Sequence, residues 1–552
     1  MIPDDPARAA VVRSTPDFVG WPDDVARHYR EVGWWAGRTL GEELRGWATR
    51  APDHTAVVSG DDRWTYRELD LRADVVAARL EEAGIRHGDA VVLQLPNSAA
   101  FVAILFGLFR LGARPVIALA AHRRSEVEHF CRTTDATAYL CADVVDGFDH
   151  RGLADEMLET VPSLRTALVV GDPGHHRRLS TAPPAPGERI GVVERARPGD
   201  LALLLLSGGT TGQPKLVPRT HDDWSYSGRA MAEAIPYEST TVTLVSLAIG
   251  HNWPLTHGML ATFHAGGTLV LAETPDPVDC FELVERERVT DTGLVPGTAL
   301  LWMDEAPWTR ADLSSLRRVA IGGSKLDPEL ARQVEPVLGA RLQQMFGMAE
   351  GLIGFVRDDD PEEMRIRSQG RPVSPGDEIR VVDADDHDVP EAEVGEMLAR
   401  GPYTIRSYYR APEHDRRSFT RDGYYRTGDL VRLLPGGFVE FAGRVKDQIN
   451  RGGEKISAQE VESHVMAHPR IRQAAVVGVP DTVLGERCCV CVVPSGRAPG
   501  VNELRAFLTE RGLAAYKMPD ACEILDSLPV TALGKIDKAA LSVAVGGRGD
   551  DE

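Results

Sequence analysis

Residues 201–217, LALLLLSGGTTGQPKLV, gather groups suited to holding phosphate. Six apolar residues ending at Leu206 predict a buried strand, and Ser207, Gly208, Gly209, Thr210, Thr211, Gly212, Gln213, Pro214 and Lys215 follow it. Glycines let backbone N–H groups approach an anion closely, and the hydroxyls of Ser207, Thr210 and Thr211 add donors. Lys215 supplies a point charge that can reach a phosphate oxygen. Pro214 precedes the lysine, so this is not a Walker A loop. The competing reading is a flexible surface turn, against which the density of phosphate-suited groups counts.

Three further stretches place ionisable groups where they could act on a nucleotide. LQQMFGMAEG at 342–351 ends a strand before Gly347 and sets Glu350 near the flat ring of Phe346. Glu350 could share a hard cation with phosphate oxygens, or be a solvated turn carboxylate. GYYRTGDL at 423–430 places Asp429 after Gly428 in a turn. A carboxylate there could accept from two vicinal ribose hydroxyls, although Gly-Asp turns are common. PVTALGKIDKAAL at 529–541 sets Lys535 ahead of a short helix, where a plain surface lysine is the ordinary reading. Cys488, Cys489 and Cys491 lie in ERCCVCVVP, which reads as a buried strand, with no partner at metal-site spacing.

These groups need a framework, and the chain alternates strand and helix patterns from the start. LGEELRGWATRAP reads as a helix, TAVVSGDDRWTYRELD as a hairpin and DLRADVVAARLEEAGI as a second helix. DAVVLQLPNS, PVIAL, TALVVGD, GGTLVLAE and LRRVAIGG are strands separated by helical segments, which predicts parallel α/β sheets. From about residue 376 the pattern becomes β-rich, with LPGGFVEF as a hairpin signal. After Arg444 a small α+β unit follows, and the tail GGRGDDE is expected to be disordered.

A chain of 552 residues predicts two to four structural units. The net charge of −20 argues against nucleic acid or an anionic membrane as partner. The longest apolar stretch, at 101–121, is broken by Arg110 and Arg114 and reads as helix, turn and strand rather than a membrane span. The start lacks an apolar secretory core, and seven cysteines make no disulfide framework, so a cytoplasmic protein is expected.

The phosphate loop, FGMAE, YRTGD, GRVKDQ and GKID, in that order, resemble the motifs of the adenylate-forming enzymes: acyl-CoA synthetases, peptide-synthetase adenylation domains and firefly luciferase. PNSAAF, FRLGARPV and AHRRSEV at 96–127 extend the match. The resemblance implies that the loop binds ATP phosphates and that Gly322, Gly323, Phe346 and Gly347 contact the nucleotide, with the aromatic ring against adenine. It places magnesium on Glu350, the ribose on Asp429 and Arg444, and the hinge of a swinging small domain at Lys446. Lys535 then bridges the substrate carboxylate and the α-phosphate, and RGGEKISAQEVE at 451–462 lines the pantetheine route. FGMAEG is most similar to stand-alone aryl-acid ligases, although Ala349 replaces the usual threonine and removes one hydroxyl contact.

The acid pocket follows from AIGHNWPLTHGML at 248–260, whose HNxPL core resembles bacterial ligases for 2,3-dihydroxybenzoate or salicylate in siderophore assembly. The resemblance puts Asn252 on an ortho-hydroxyl and His251 beside the carboxylate, with Gly323 also touching the acid. A core histidine is the plain alternative for His251. Three positions depart from the pattern: His257 for a small residue, Ile353 for valine and Trp253 for tyrosine. His257 could hydrogen-bond a ring nitrogen or substituent, or could fill space. The acid is thus a hydroxybenzoate, or a heteroaromatic acid such as hydroxypicolinate, hydroxyquinaldate or quinoxaline-carboxylate.

The expectation is therefore an α/β multidomain enzyme, with a three-subdomain core over 1–443 and a mobile α+β lid over 444–552. It would form aryl-AMP from Mg·ATP, then load the phosphopantetheine thiol of a carrier protein supplied in trans. The rivals are an aryl-CoA ligase and a non-catalytic binding protein of the same fold.

Overall fold

A computed structural model describes residues 17–546 apart from 185–189, 192, 208–213, 452–453, 482–483, 512, 514 and 532–534. Gly208, Gly209, Thr210, Thr211, Gly212 and Gln213, most of the expected phosphate loop, lie outside the described residues, as do Gly534 and residues 547–552 of the tail.

Among the described residues, three sheets of four or more strands and one two-stranded ribbon, Val144–Val145 with Phe148–Asp149, precede Arg444, and a fourth large sheet follows it. The largest runs from Arg371–Pro372 through Gly351–Phe355, Arg341–Met348, Arg318–Ile321, Asp291–Leu294, Val242–Val245, Thr268–Leu271 and Thr55–Ser59 to Asp62–Thr65. Its central pairings are parallel. Crossover helices Pro277–Glu287, Pro296–Glu305 and Pro328–Leu338 make that possible, because parallel neighbours cannot be joined by a hairpin. The second sheet orders Leu216–Thr220, Leu201–Leu206, Arg114–Ala118, Ala90–Gln94, Ala138–Ala142, Thr166–Val170 and Arg177–Arg178. The third is antiparallel: Glu378–Val382, Val394–Arg400, Tyr425–Leu434 and Phe438–Arg444. The fourth, after Arg444, is built on the antiparallel pair Ile471–Asp481 and Gly485–Pro494. It contains Cys488, Cys489 and Cys491, all buried, in agreement with the strand reading.

Helix Ala99–Leu111 joins the two large sheets into one core. Its sequence, AAFVAILFGLFRL, is apolar on every side because it is buried on every side. Arg110 in that helix is sealed from solvent and held by Asp74 at 2.6 Å and by Asp70. No described helix is long and apolar enough to cross a membrane. Gly107 lets helix Tyr66–Glu82 lie against it, since a Cβ there would come within 2.5 Å of Val76 Cγ1.

Two local expectations need correction. The strand expected to end before Gly347 continues to Met348, because Phe346 and Gly347 still pair with Gly354 and Ile353. Asp429 lies not in a turn but inside strand Tyr425–Leu434, directly opposite Arg444. Gly428, at φ +69, supplies the local twist that had suggested a turn.

Gly107→Val should overpack the contact between the two helices. We expect a loss of about 1–3 kcal/mol, read as a lower thermal midpoint, whereas an unchanged midpoint would mean that the helices can separate without cost.

Candidate active site

The neck of the phosphate loop is well defined. Leu206 pairs with Leu216 across an antiparallel hairpin. Ser207 N–H donates to the Lys215 carbonyl at 2.9 Å, and Lys215 N–H donates back to Ser207 Oγ at 3.1 Å. Lys215 Nζ lies 4.7 Å from the centre of the Tyr408 ring and contacts His414 Nε2. Burial lowers its pKa, and Glu350 opposes the shift.

Strand Leu216–Thr220 ends in a capping box between Thr220 and Asp223, which opens helix His221–Ala234. Asp223 also accepts from Arg219 Nε at 2.6 Å, and Arg219 Nη1 donates to the Ala349 carbonyl at 3.1 Å. This buried pair fixes the turn that carries Glu350. Glu350 is itself 6% exposed, and its Oε1 accepts from Tyr408 OH at 2.7 Å, with Tyr425 OH a further 2.9 Å away. Its second carboxylate oxygen receives no hydrogen bond from a described residue. Gly351, at φ +150, lets this turn touch Thr404, whose Cα would lie 2.5 Å from an added Cβ.

Asp429 and Arg444 form an ion pair at 2.8 Å, set by their register across the third sheet. Asp429 Oδ1 has no aligned hydrogen bond, so the contact is charge pairing rather than a satisfied acceptor. Burial pushes the Asp429 carboxyl up to about 6, against the pull of Arg444 and Lys535. A single turn, Val445–Asp447, follows Arg444 and carries Lys446, whose pKa burial lowers.

Lys535 comes from the small unit and reaches the same cleft. An added Cβ on Gly323, at φ +85, would lie 3.9 Å from Lys535 Cε and 3.4 Å from Val295 Cγ1. Burial lowers the Lys535 pKa, and Arg444 and Lys446 add to the shift while Asp429 and Glu350 resist it. His251 feels the Lys535 charge as well, and its pKa falls to about 4 mainly through burial. Lys535, Gly323, Glu350, Asp429, Arg444 and His251 are thus gathered around one space. Gly322 and Gly323 follow strand Arg318–Ile321, and Phe346 and Gly347 lie on the neighbouring strand Arg341–Met348.

Beside this space the chain winds as a π-helix, Pro254–Leu260. Its i→i+5 winding puts positions four and five apart on one face, which brings Asn252, Trp253 and His257 together. Asn252 Nδ2 donates to the Met348 carbonyl at 3.4 Å, and its Oδ1 accepts from Thr256 at 3.0 Å. His257 stacks on Phe355 with centroids 5.9 Å apart and bonds Tyr237 OH through Nε2 at 3.2 Å. Ile353 is buried in the same cluster, which also contains Phe355 and Trp253.

A family model described as AMP-binding enzyme matches residues 44–409, and one described as AMP-binding enzyme C-terminal domain matches residues 460–535. The chain is an adenylate-forming, AMP-binding enzyme. It is 49% identical over 529 residues to a 2,3-dihydroxybenzoate-AMP ligase of Bacillus subtilis, covering 96% of this chain and 97% of that one. It is 45% identical to a salicyl-AMP ligase / salicyl-S-ArCP synthetase of Mycobacterium tuberculosis, covering 96% and 95%. The apo structure of MbtA from Mycobacterium smegmatis is 43% identical, with a TM-score of 0.74 over 96% of this chain and 98% of that one. Use of ATP follows from the family.

Several residues of this enzyme's cleft escaped the sequence reading. Arg219 and Asp223 had a usable signal, because T-x-x-D before a helix is a capping box. Tyr408, Tyr425, His414 and Tyr237 had none, since they reach Glu350, Lys215 and His257 from other elements of the fold.

The Asp429 carboxyl, raised by burial, is neutral below about pH 6 and becomes a full acceptor as pH rises through that value. The KM for ATP should therefore fall between about pH 5 and about pH 7. Asp429→Asn should show a raised KM without that step, once the titration of ATP itself is subtracted. A step of equal size in both proteins would remove Asp429 as its source.

Proposed function

We propose that this enzyme joins an aromatic carboxylic acid to AMP, releasing pyrophosphate, and then passes the aryl group to the phosphopantetheine thiol of a carrier protein. The observation that carries this reading is the arrival of Lys535, from the small unit, at Gly323 beside His251, Glu350 and the Asp429–Arg444 pair. A desolvated cation there lies between the nucleotide side of the cleft and the acid pocket. The aromatic substrate and the carrier acceptor are supported by the names of the relatives, and the setting is siderophore-type or related peptide assembly.

In the first step a carboxylate oxygen attacks the α-phosphorus, the bond to the bridging oxygen breaks and pyrophosphate leaves with that electron pair. Lys535 stabilises charge on the α-phosphate, and its burial makes that charge count for more than it would in water. His251, kept neutral by burial, offers the carboxylate a hydrogen bond without holding it as a salt. Ser207, Gly208, Gly209, Thr210, Thr211 and Lys215 take the phosphates, and Gly322, Gly323, Phe346 and Gly347 take the nucleoside together with Asp429 and Arg444. Magnesium would neutralise phosphate charge, and Glu350 fits it, being buried with one oxygen on Tyr408 and the other unbonded by described residues. In the second step the thiol sulfur attacks the anhydride carbonyl carbon, AMP leaves and the thiol proton passes to solvent. Residues 1–443 bind acid and ATP, 444–552 act as the lid, and Lys446 marks the hinge.

Lys535→Ala should slow ATP–pyrophosphate exchange by about 10²-fold or more, as loss of a transition-state contact does. Thioester formation from supplied aryl-AMP should change far less. Equal loss in both half-reactions would point to misfolding instead. Offered free CoA and aryl carrier domains in parallel, the enzyme should load the carrier, and efficient aryl-CoA release without carrier loading would replace this reading by the CoA-ligase one.

A further inference from the structure

The π-helix carries a polar group that the aryl-acid pattern of the sequence does not explain. His257 is 3% exposed, and its two ring nitrogens face different surroundings. Nε2 meets Tyr237 OH at 3.2 Å, whereas no described residue bonds Nδ1. On that side stands Gly293, on strand Asp291–Leu294. A Cβ built on Gly293 would lie 3.6 Å from His257 Nδ1 and 3.1 Å from Trp253 Cζ2. Having no side chain there, Gly293 lets the two rings come closer to the strand backbone than any other residue would. The indole edge facing it also adjoins Trp253 Nε1, a buried donor without a partner.

The contact behind His257 bears on which nitrogen holds the proton. His257 Nε2 is the hydrogen-bond partner of the Tyr237 hydroxyl among the described residues. A buried hydroxyl must place its proton on an acceptor, so the Tyr237 proton goes to Nε2. A neutral imidazole that accepts at one nitrogen carries its N–H on the other. Burial keeps the ring neutral by lowering its pKa to about 4.

We infer that His257 donates through Nδ1–H into the acid pocket, so that the enzyme selects an aromatic acid with a hydrogen-bond acceptor on the ring edge facing Gly293 over the same acid with a C–H there. A ring nitrogen, an ether oxygen and a carbonyl oxygen share that chemistry. The inference rests on the aryl-acid reading and narrows it. Two unpartnered donors, Trp253 Nε1 and His257 Nδ1, beside one glycine favour an acceptor rather than another donor. Tyr237 is a positioning residue that acts through His257. Stacking on Phe355 alone would be served equally by a phenyl ring and gives no role to the Tyr237 contact.

The test uses the full-length enzyme in ATP–pyrophosphate exchange with pairs of aryl acids that differ only by nitrogen for C–H, one pair for each ring position. At one position the nitrogen member should be favoured in kcat/KM by about ten- to a hundredfold, the usual penalty for leaving a buried donor unpaired. His257→Leu should abolish that preference, His257→Gln, which keeps an N–H donor, should restore part of it, and Tyr237→Phe should weaken it. Equal rates within every pair for the wild type, or a preference surviving in His257→Leu, would overturn the inference. Should the leucine variant fail to fold, nitrogen-15 shifts of the histidines in the wild-type enzyme decide the point. A protonated Nδ1 on His257 supports the inference, and a protonated Nε2 overturns it. Exchange with no aromatic acid at all is a separate result, which would remove the aryl-acid reading itself.

Discussion

The cleft holds several partly buried cations close together. Lys215, Arg444, Lys446 and Lys535 converge there on Glu350 and Asp429, and the pKa of each of the three lysines is lowered by loss of water. Holding these cations partly out of water is costly, and carboxylates such as Asp415 near Lys215 and Asp447 near Lys446 offset part of that cost. Much of the surrounding architecture serves to hold these groups despite that cost. The Ser207–Lys215 exchange closes the loop neck, and Tyr408 holds one oxygen of Glu350. The Arg219–Asp223 pair anchors the turn on which Glu350 stands, so the first and second sheets meet at the point where charge is densest.

The same balance separates the two halves of the site. On the proposed nucleotide side Lys215, Glu350, Asp429, Arg444 and Lys535 bring charge. On the acid side His251 and His257 are both kept neutral by burial, and the remaining contacts are aromatic or amide. A pocket of that kind would suit the flat ring of the proposed acid, with Lys535 bringing charge from beside it. The π-helix makes this compact, since its wide winding turns Asn252, Trp253 and His257 to one side without a longer loop.

Legibility in the sequence followed distance along the chain. Strands such as Ala90–Gln94 and Thr268–Leu271 and helices such as Tyr66–Glu82 were readable because their periodicity is local. The phosphate-loop neck, Glu350, Asp429 and Lys535 stood out because their neighbours in sequence are unusual. What stayed hidden comes from partners far apart: Arg219 reaches Ala349 across 130 positions, and Tyr408 reaches Glu350 across 58. Asp429 was placed in a turn because Gly428 looks like one, and only the pairing with Arg444 reveals a strand. Nothing in PLTHGML announces π winding, which depends on how the segment packs under strand Val242–Val245 and helix His221–Ala234.

The position of Arg444 has a mechanical meaning. It is the last residue of strand Phe438–Arg444 in the large part, and the short turn Val445–Asp447 that leads into the small unit begins at the next residue. If the proposed hinge lies in this turn, the Asp429–Arg444 pair would sit on the axle and Lys535 on the rim. A rotation about residues 445–447 would leave the pair nearly still and carry the lysine away from Gly323. Nucleoside could then remain gripped through a swing that exchanges the cation at the reacting phosphate for whatever face the small unit next presents. One covalent joint would thus let a single bound nucleotide serve two chemistries in succession without being released between them.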